Sequence, residues 1–150
     1  MSSNSITFDV IGTPVAQGSM KALGRSHAGR TILTHSNGSE LMPWRQTVAA
    51  AAHQSRPDDW LMDAPISLSI TFRFPRPAGH YRRDGTLKPS APSQMTKKPD
   101  LDKLTRSIGD ALASILYRGD QQITSIVAAK RYIVGNESPG ALITVMASPD

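Results

Sequence analysis

The sequence predicts an α+β domain: a small mixed β-sheet with two main helices packed against it and a long basic loop before the second helix. Three observations lead there. Residues 66–74, ISLSITFRF, place Ile66, Leu68, Ile70, Phe72 and Phe74 on one face with the period of a half-buried strand. Residues 43–55 and 100–116 carry helical signals. The elements run β, β, α, β, α, β, β, an order that suits helices packed on a small mixed sheet.

Taken in order, residues 1–5 form a loose tail and ITFDVI (6–11) a short strand, stopped by Gly12, Thr13 and Pro14. Residues 15–30 read as a Gly-rich basic loop. No Gly-Lys-Ser/Thr occurs there at nucleotide-loop spacing. Residues 30–34 are a candidate second strand. Pro43 suits the first position of a helix running to about Ser55, with Trp44 and Val48 at i and i+4 on its buried face. The second helix is predicted from about Asp100 to Leu116, with Gly119 as a stop. Residues 122–134 carry apolar side chains on both faces, as a central strand does, and residues 141–147 return as its antiparallel partner.

The chain has 150 residues, most simply one domain over 1–150. Lys and Arg number 17 against 12 Asp and Glu, a formal charge of +5. An anionic partner such as nucleic acid and a merely basic soluble protein fit that charge about equally. The chain has no cysteine, which excludes disulfides, thiolate metal sites and cysteine nucleophiles. No stretch has the length and apolarity of a membrane span and no leader pattern is visible, so the expected location is the cytoplasm.

Residues 75–98 lack periodicity and contain Pro75, Pro77, Pro89 and Pro92. A loop of that length inside a domain is usually functional or disordered. Arg76, Arg82, Arg83, Lys88, Lys97 and Lys98 face a single acid there, Asp84. The segment reads as a mobile basic arm for a phosphate backbone. Lys103 and Lys130 are further candidates for DNA contact.

The acids of KKPDLDKLTRSIGDAL (97–112) admit two readings. At about 100° per residue, Leu101, Leu104, Ile108, Ala111, Leu112 and Ile115 share the core face. Asp102, Arg106 and Asp110 lie opposite at i, i+4 and i+8, so Arg106 can pair with either acid. Asp100 suits the N-cap and Asp102 the first turn, a stabilising arrangement worth about 1 kcal/mol. On those two residues alone, capping is the better reading. A third acid, Asp120, comes after the helix in LYRGDQQI. Sixteen helical residues span about 24 Å. Asp120 meets the helix start only if the helix ends early or another strand joins the two ends. Clustered carboxylates are hard ligands for Mg²⁺ or Mn²⁺, which bind phosphate oxygens and activate water.

The run KPDLDKLTRSIGDAL, then YRGDQQI, then Lys130, resembles the RusA family of Holliday-junction resolvases of bacteriophages and prophages. The match is good over 97–130 and weaker in GTPVAQGSMKALGR, PWRQTVAAAA and FRFPRPAGHY. The resemblance implies a homodimeric, Mg²⁺-dependent endonuclease that nicks two opposing strands of a four-way DNA junction, with no organic cofactor. It implies Asp100, Asp102 and Asp120 as metal-binding acids and places Arg106 where the family has an essential lysine. Three departures stand out: Lys103 where Asn is usual, Gly119 in place of the first acid of a pair, and Arg106 itself. The alternative function is a non-catalytic branched-DNA-binding protein with a degenerate metal site. A Pro-Asp…Asp/Glu-x-Lys nuclease is disfavoured because no Asp/Glu-x-Lys occurs after Asp120. His27, His35, His53 and His80 are too scattered to suggest histidine chemistry.

Overall fold

Five alternating apolar residues in 66–74 build an inner strand of the main sheet. Along the chain run β1 (Asn4–Ile11), β2 (Met20–Arg25), β3 (Thr31–His35), α1 (Gly38–Ser55), β4 (Ile66–Phe74), α2 (Leu101–Leu112), β5 (Ile123–Tyr132) and β6 (Gly140–Ala147). The computed structural model describes residues 4–18, 20–25, 31–35 and 38–149. Residues 1–3 of the expected tail, and 26–30 with His27, lie outside the described residues.

Four strands form one sheet in the order β1-β6-β4-β5, and β2-β3 is a separate antiparallel hairpin. β6 runs antiparallel to both β1 and β4, whereas β5 runs parallel to β4, which makes the sheet mixed. One face carries Phe8, Val10, Leu68, Ile70, Phe72, Ile143 and Val145, all buried. Against it pack Trp44, Val48 and Ala52 of α1 and Leu104, Ile108, Ala111 and Leu112 of α2. The expected α+β architecture with two helices on a small mixed sheet is the observed one. No helix among the described residues is long and apolar enough to cross a membrane.

The opposite face is mixed, with Ile11, Val127, Leu142 and Met146 exposed beside polar side chains. The Thr7 and Thr144 hydroxyls bond across β1 and β6 at 2.9 Å, and Arg73 on β4 reaches Asp9 on β1 at 2.9 Å. That reach crosses Gly140 of β6, where a Cβ would fall 2.7 Å from the Arg73 guanidinium and 2.0 Å from the Val10 carbonyl. Only glycine lets the two strands and the arginine pass so closely.

Several boundaries differ from expectation. α1 begins at Gly38 and holds Pro43 inside it. The extra turn buries Leu41, which extends the apolar stripe of Trp44, Val48 and Ala52 by one turn. The Gly-rich loop contains β2. β5 is an edge strand, not a central one. Its apolar Ile126 and Val127 are exposed, and among the described residues its one partner in the sheet is β4. β6 pairs with β1 and β4 rather than with β5. Helix α2 stops at Leu112, four residues before the expected end, and Gly119 is not its terminator.

The β5–β6 connection is clasped by charge. Arg131 Nη1 and Nη2 donate to the two Glu137 oxygens at 2.7 and 2.8 Å, and the Val134 amide adds a bond of 2.6 Å. The Arg131 bonds first, then the Val134 amide, hold the Glu137 carboxyl down to about 2 from its usual 4.5. Because the folded value lies below the unfolded one, the clasp stabilises fully above about pH 4.5 and is lost as pH falls through about 2. Glu137→Gln should therefore be less stable than the wild type at pH 6, with the gap closing between pH 4.5 and 2 in urea unfolding at stepped pH. A gap independent of pH would contradict this.

Candidate active site

The segment after helix α2 is the cause of the helix's early end. Leu116 and Tyr117 are fully buried, and burial requires the chain to turn back rather than continue the helix. The Tyr117 hydroxyl donates to the Gly109 carbonyl at 2.5 Å, and the Ser114 amide to the Tyr117 carbonyl at 2.7 Å. Ser114 sits at φ 73°, the left-handed region, to make the corner. Three more side chains hold the return segment from outside. Arg56 donates to the Ile115 carbonyl at 2.8 Å, Trp60 Nε1 to the Leu116 carbonyl at 2.7 Å, and Arg118 pairs with Asp63.

Gln122 closes the segment. Its Oε1 accepts from the Arg118 and Gly119 amides at 2.7 and 3.1 Å. Its Nε2 donates to the Met62 and Ala64 carbonyls at 2.9 and 3.0 Å. One amide side chain thus joins the turn that carries Asp120 to the connector before β4. Gln121 lies back over Gly119, filling the space that a side chain at 119 would take.

The return brings Asp120 beside the outer face of α2. Asp102, Arg106 and Asp110 from the helix and Asp120 from the turn line one concavity of about 250 Å³, with Leu68, Ile123 and Ile126 as an apolar side. The face expected at i, i+4 and i+8 is therefore one wall of a cleft, and a shortened helix brings Asp120 to the helix face. Asp102, Arg106 and Asp120 are exposed and Asp110 is half-buried. Burial first, then the nearby Asp120 and Asp110 charges, raise the Tyr117 hydroxyl well above its usual range and keep it protonated. Among the described residues Arg106 forms no ion pair with Asp102 or Asp110.

Asp100 stands elsewhere. It occupies the N-cap position in extended conformation, but its carboxylate makes no capping bond. It lies 3.9 Å from the Lys103 ammonium and is not among the residues lining the concavity. No group of three or more His, Asp or Glu among the described residues is tight enough to enclose a metal ion. The donor chemistry nevertheless suits Mg²⁺, which keeps several waters and takes one or two carboxylates plus substrate phosphates. Asp102 and Asp120 meet that description.

The cations divide into two groups. Residues 81–88 form a small hairpin: Tyr81 bridges Leu87, the Arg82 amide donates to Thr86, and Asp84 accepts from the Thr86 amide and hydroxyl. Arg82, Arg83 and Lys88 are exposed on it, and Lys97 and Lys98 are exposed farther on. Arg76 is instead spent internally. It donates to Ile133 at 3.0 Å and Pro92 at 2.6 Å and lies over the Tyr132 ring at 5.3 Å. Lys130 Nζ donates to the Lys97 and Pro99 carbonyls, each at 2.7 Å. The segment expected as a mobile arm is thus tied to β5 by Arg76, by Lys130 and by the Gln94–Arg131 bridge. A larger cavity of about 670 Å³ lies between 13–16, Phe74 and 97–99 and holds none of the three expected acids.

Gln122 is the residue that sequence reasoning missed. Its signal is position, immediately before a strand and after a polar turn, which also describes many solvent-facing glutamines. Gln122→Leu strands two amide donors and two carbonyls and should cost about 2–3 kcal/mol, with Gln122→Glu, which keeps the acceptor, losing less. Urea unfolding measures both, and equal stability of Gln122→Leu and wild type would contradict the account.

Comparison with known proteins shows the family of the chain. The chain is 29% identical over 135 residues to YqaN, an uncharacterized protein of Bacillus subtilis strain 168, covering 85% of this chain and 87% of that one. A family model described as endodeoxyribonuclease RusA matches residues 12–146, which include the acidic wall of α2, the return turn with Asp120 and the basic hairpin. With that match running over nearly the whole chain, the protein belongs to the RusA endodeoxyribonuclease family.

Proposed function

We propose that the protein is a Mg²⁺-dependent endonuclease that cuts four-way DNA junctions by paired nicks, acting as a homodimer, with Mn²⁺ as a substitute ion. The observation that carries the reading is the shared concavity of Asp102, Asp120 and Arg106, which has no ion-pair partner among the described residues. Asp102 and Asp120 would hold the cation; Asp100 enters as a third acid on the family resemblance alone. When bound, Mg²⁺ supplies neutralisation of the scissile phosphate and activation of water. The planar guanidinium of Arg106 binds the non-bridging phosphate oxygens where negative charge grows. It cannot return a proton to the leaving oxygen, so that proton comes from solvent. Asp110, one turn from Arg106, adds a further negative charge to the concavity. Arg82, Arg83 and Lys88 hold backbone phosphates without reading bases, as recognition of shape requires. The setting implied by the resemblance, a phage or prophage gene expressed in the bacterial cytoplasm, belongs to the same proposal.

The alternative, a branched-DNA-binding protein without cleavage, gains support from one fact: no three acids among the described residues enclose an ion. Asp102→Asn separates the readings. It should lower cleavage of a synthetic four-way junction by at least about 100-fold and leave junction affinity equal or better, since it removes a repulsive charge. Cleavage that survives the substitution, or a wild type that binds the junction and cuts in neither metal, would sink the proposal.

Replacing Arg82 and Arg83 together with Ala should weaken binding and flatten its dependence on log salt by about 0.9 per lost phosphate contact. An unchanged slope would exclude the hairpin as a phosphate contact.

A further inference from the structure

We propose that Lys130 is a positioning residue for the acidic site, setting the backbone that leads into Asp100 and Asp102 rather than contacting DNA. The inference rests on the reading of those acids as cation ligands. Lys130 lies on β5 opposite Phe72 of β4, on the face of the sheet that the helices cover, and is half-buried. Its Nζ sits 2.7 Å from the Lys97 carbonyl and 2.7 Å from the Pro99 carbonyl. Two of its three N–H groups are therefore engaged by short, charge-assisted bonds.

Which carbonyls they are gives the contact its meaning. A peptide unit is planar, so the Pro99 oxygen lies in one rigid plane with the nitrogen and Cα of Asp100. Holding that oxygen holds the point from which Asp100 departs. The Lys97 oxygen fixes the plane entering Lys98 in the same way. Between the two, one ammonium aligns the backbone on both sides of the Lys98–Pro99 dipeptide. Helix α2 begins at once, with the Leu104 amide bonded to the Asp100 carbonyl at 3.0 Å, and Asp102 in its first turn lines the concavity. The other side of the helix start is held by the Gln17 amide, which donates to the Lys103 carbonyl at 3.0 Å. Lys130 is a side-chain clamp on this entry, and it comes from the strand that follows Asp120. The two halves of the acidic site, before α2 and after it, are thereby referred to one element, β5.

A phosphate contact by Lys130 would compete with both carbonyl bonds, so the two roles give opposite results. The test compares wild type with Lys130→Met, which keeps the length and removes every donor. Mn²⁺ affinity is read by the electron paramagnetic resonance of free Mn²⁺, and junction binding by anisotropy over a salt series. Lys130→Met should weaken Mn²⁺ binding about tenfold or more and leave the salt slope unchanged, with Lys130→Arg recovering most of the affinity. A slope reduced by about one at unchanged Mn²⁺ affinity would make Lys130 a phosphate contact and overturn the proposal. A lower melting temperature with both binding readouts unchanged would make it merely structural and also overturn it. If Lys130→Met does not fold, the wild type decides: its Lys130 ¹⁵Nζ resonance should stay unshifted on adding junction DNA, and a shift would overturn the proposal. Wild type that binds Mn²⁺ without cutting DNA would remove the catalytic reading and leave this inference intact. Wild type that binds no Mn²⁺ would remove both.

Discussion

Tyr117 folds back onto helix α2, and the meeting of Asp120 with the acids of the helix depends on that return. A helix continued to residue 116 would carry Asp120 about 24 Å from the helix start. Burial of Leu116 and Tyr117, with the phenol bonded to the Gly109 carbonyl, ends α2 at Leu112 instead. The chain then retraces the helix, and Asp120 arrives beside Asp110, Arg106 and Asp102. The hydroxyl stays protonated because burial and two neighbouring carboxylates oppose its ionisation. The same bond therefore both ends the helix and sits under the site it creates.

Around that constraint the molecule places negative and positive groups on different supports. The acids stand on a helix face and on a turn held by Gln122, both backed by the core. The cations available for phosphate stand on a hairpin that projects from the end of β4, and they stay exposed. Arg76 and Lys130 look like members of the basic set in the sequence, yet both are consumed by backbone carbonyls. They hold the hairpin and the entry to α2 against β5. Net charge thus overstates the cations left exposed, and the geometry separates these from the cations bonded within the fold.

Much of this was legible in the sequence where a single periodicity dominates. The alternation in 66–74 and the apolar stripe of α2 read directly, and the polar face of Asp102, Arg106 and Asp110 came from the same wheel. The parts that stayed hidden depend on long-range contacts. Nothing local marks Leu112 as a helix end, because Ala113 to Tyr117 are acceptable helix residues until the core claims Leu116 and Tyr117. β5 reads as central because Ile126 and Val127 lie on opposite faces, yet both remain exposed at the sheet edge. Pro43 reads as a start because proline suits a first turn, and only the burial of Leu41 reveals the turn before it. The capping role expected of Asp100 met its position but not its bond, since the carboxylate makes no contact with the helix amides. Gln122 and Lys130 carried no signal beyond being polar, and their roles exist only once their distant carbonyl partners are in place.

The central claim is that the wall of α2 and the returned turn form one cation site. Paramagnetic broadening of backbone amide resonances by substoichiometric Mn²⁺ tests it most directly, because the effect falls steeply with distance from the ion and needs no substrate. The account predicts broadening centred on Asp102, Asp110 and Asp120 together, with residues 82–88 of the hairpin spared. Broadening confined to one of the two segments, or centred elsewhere, would contradict it.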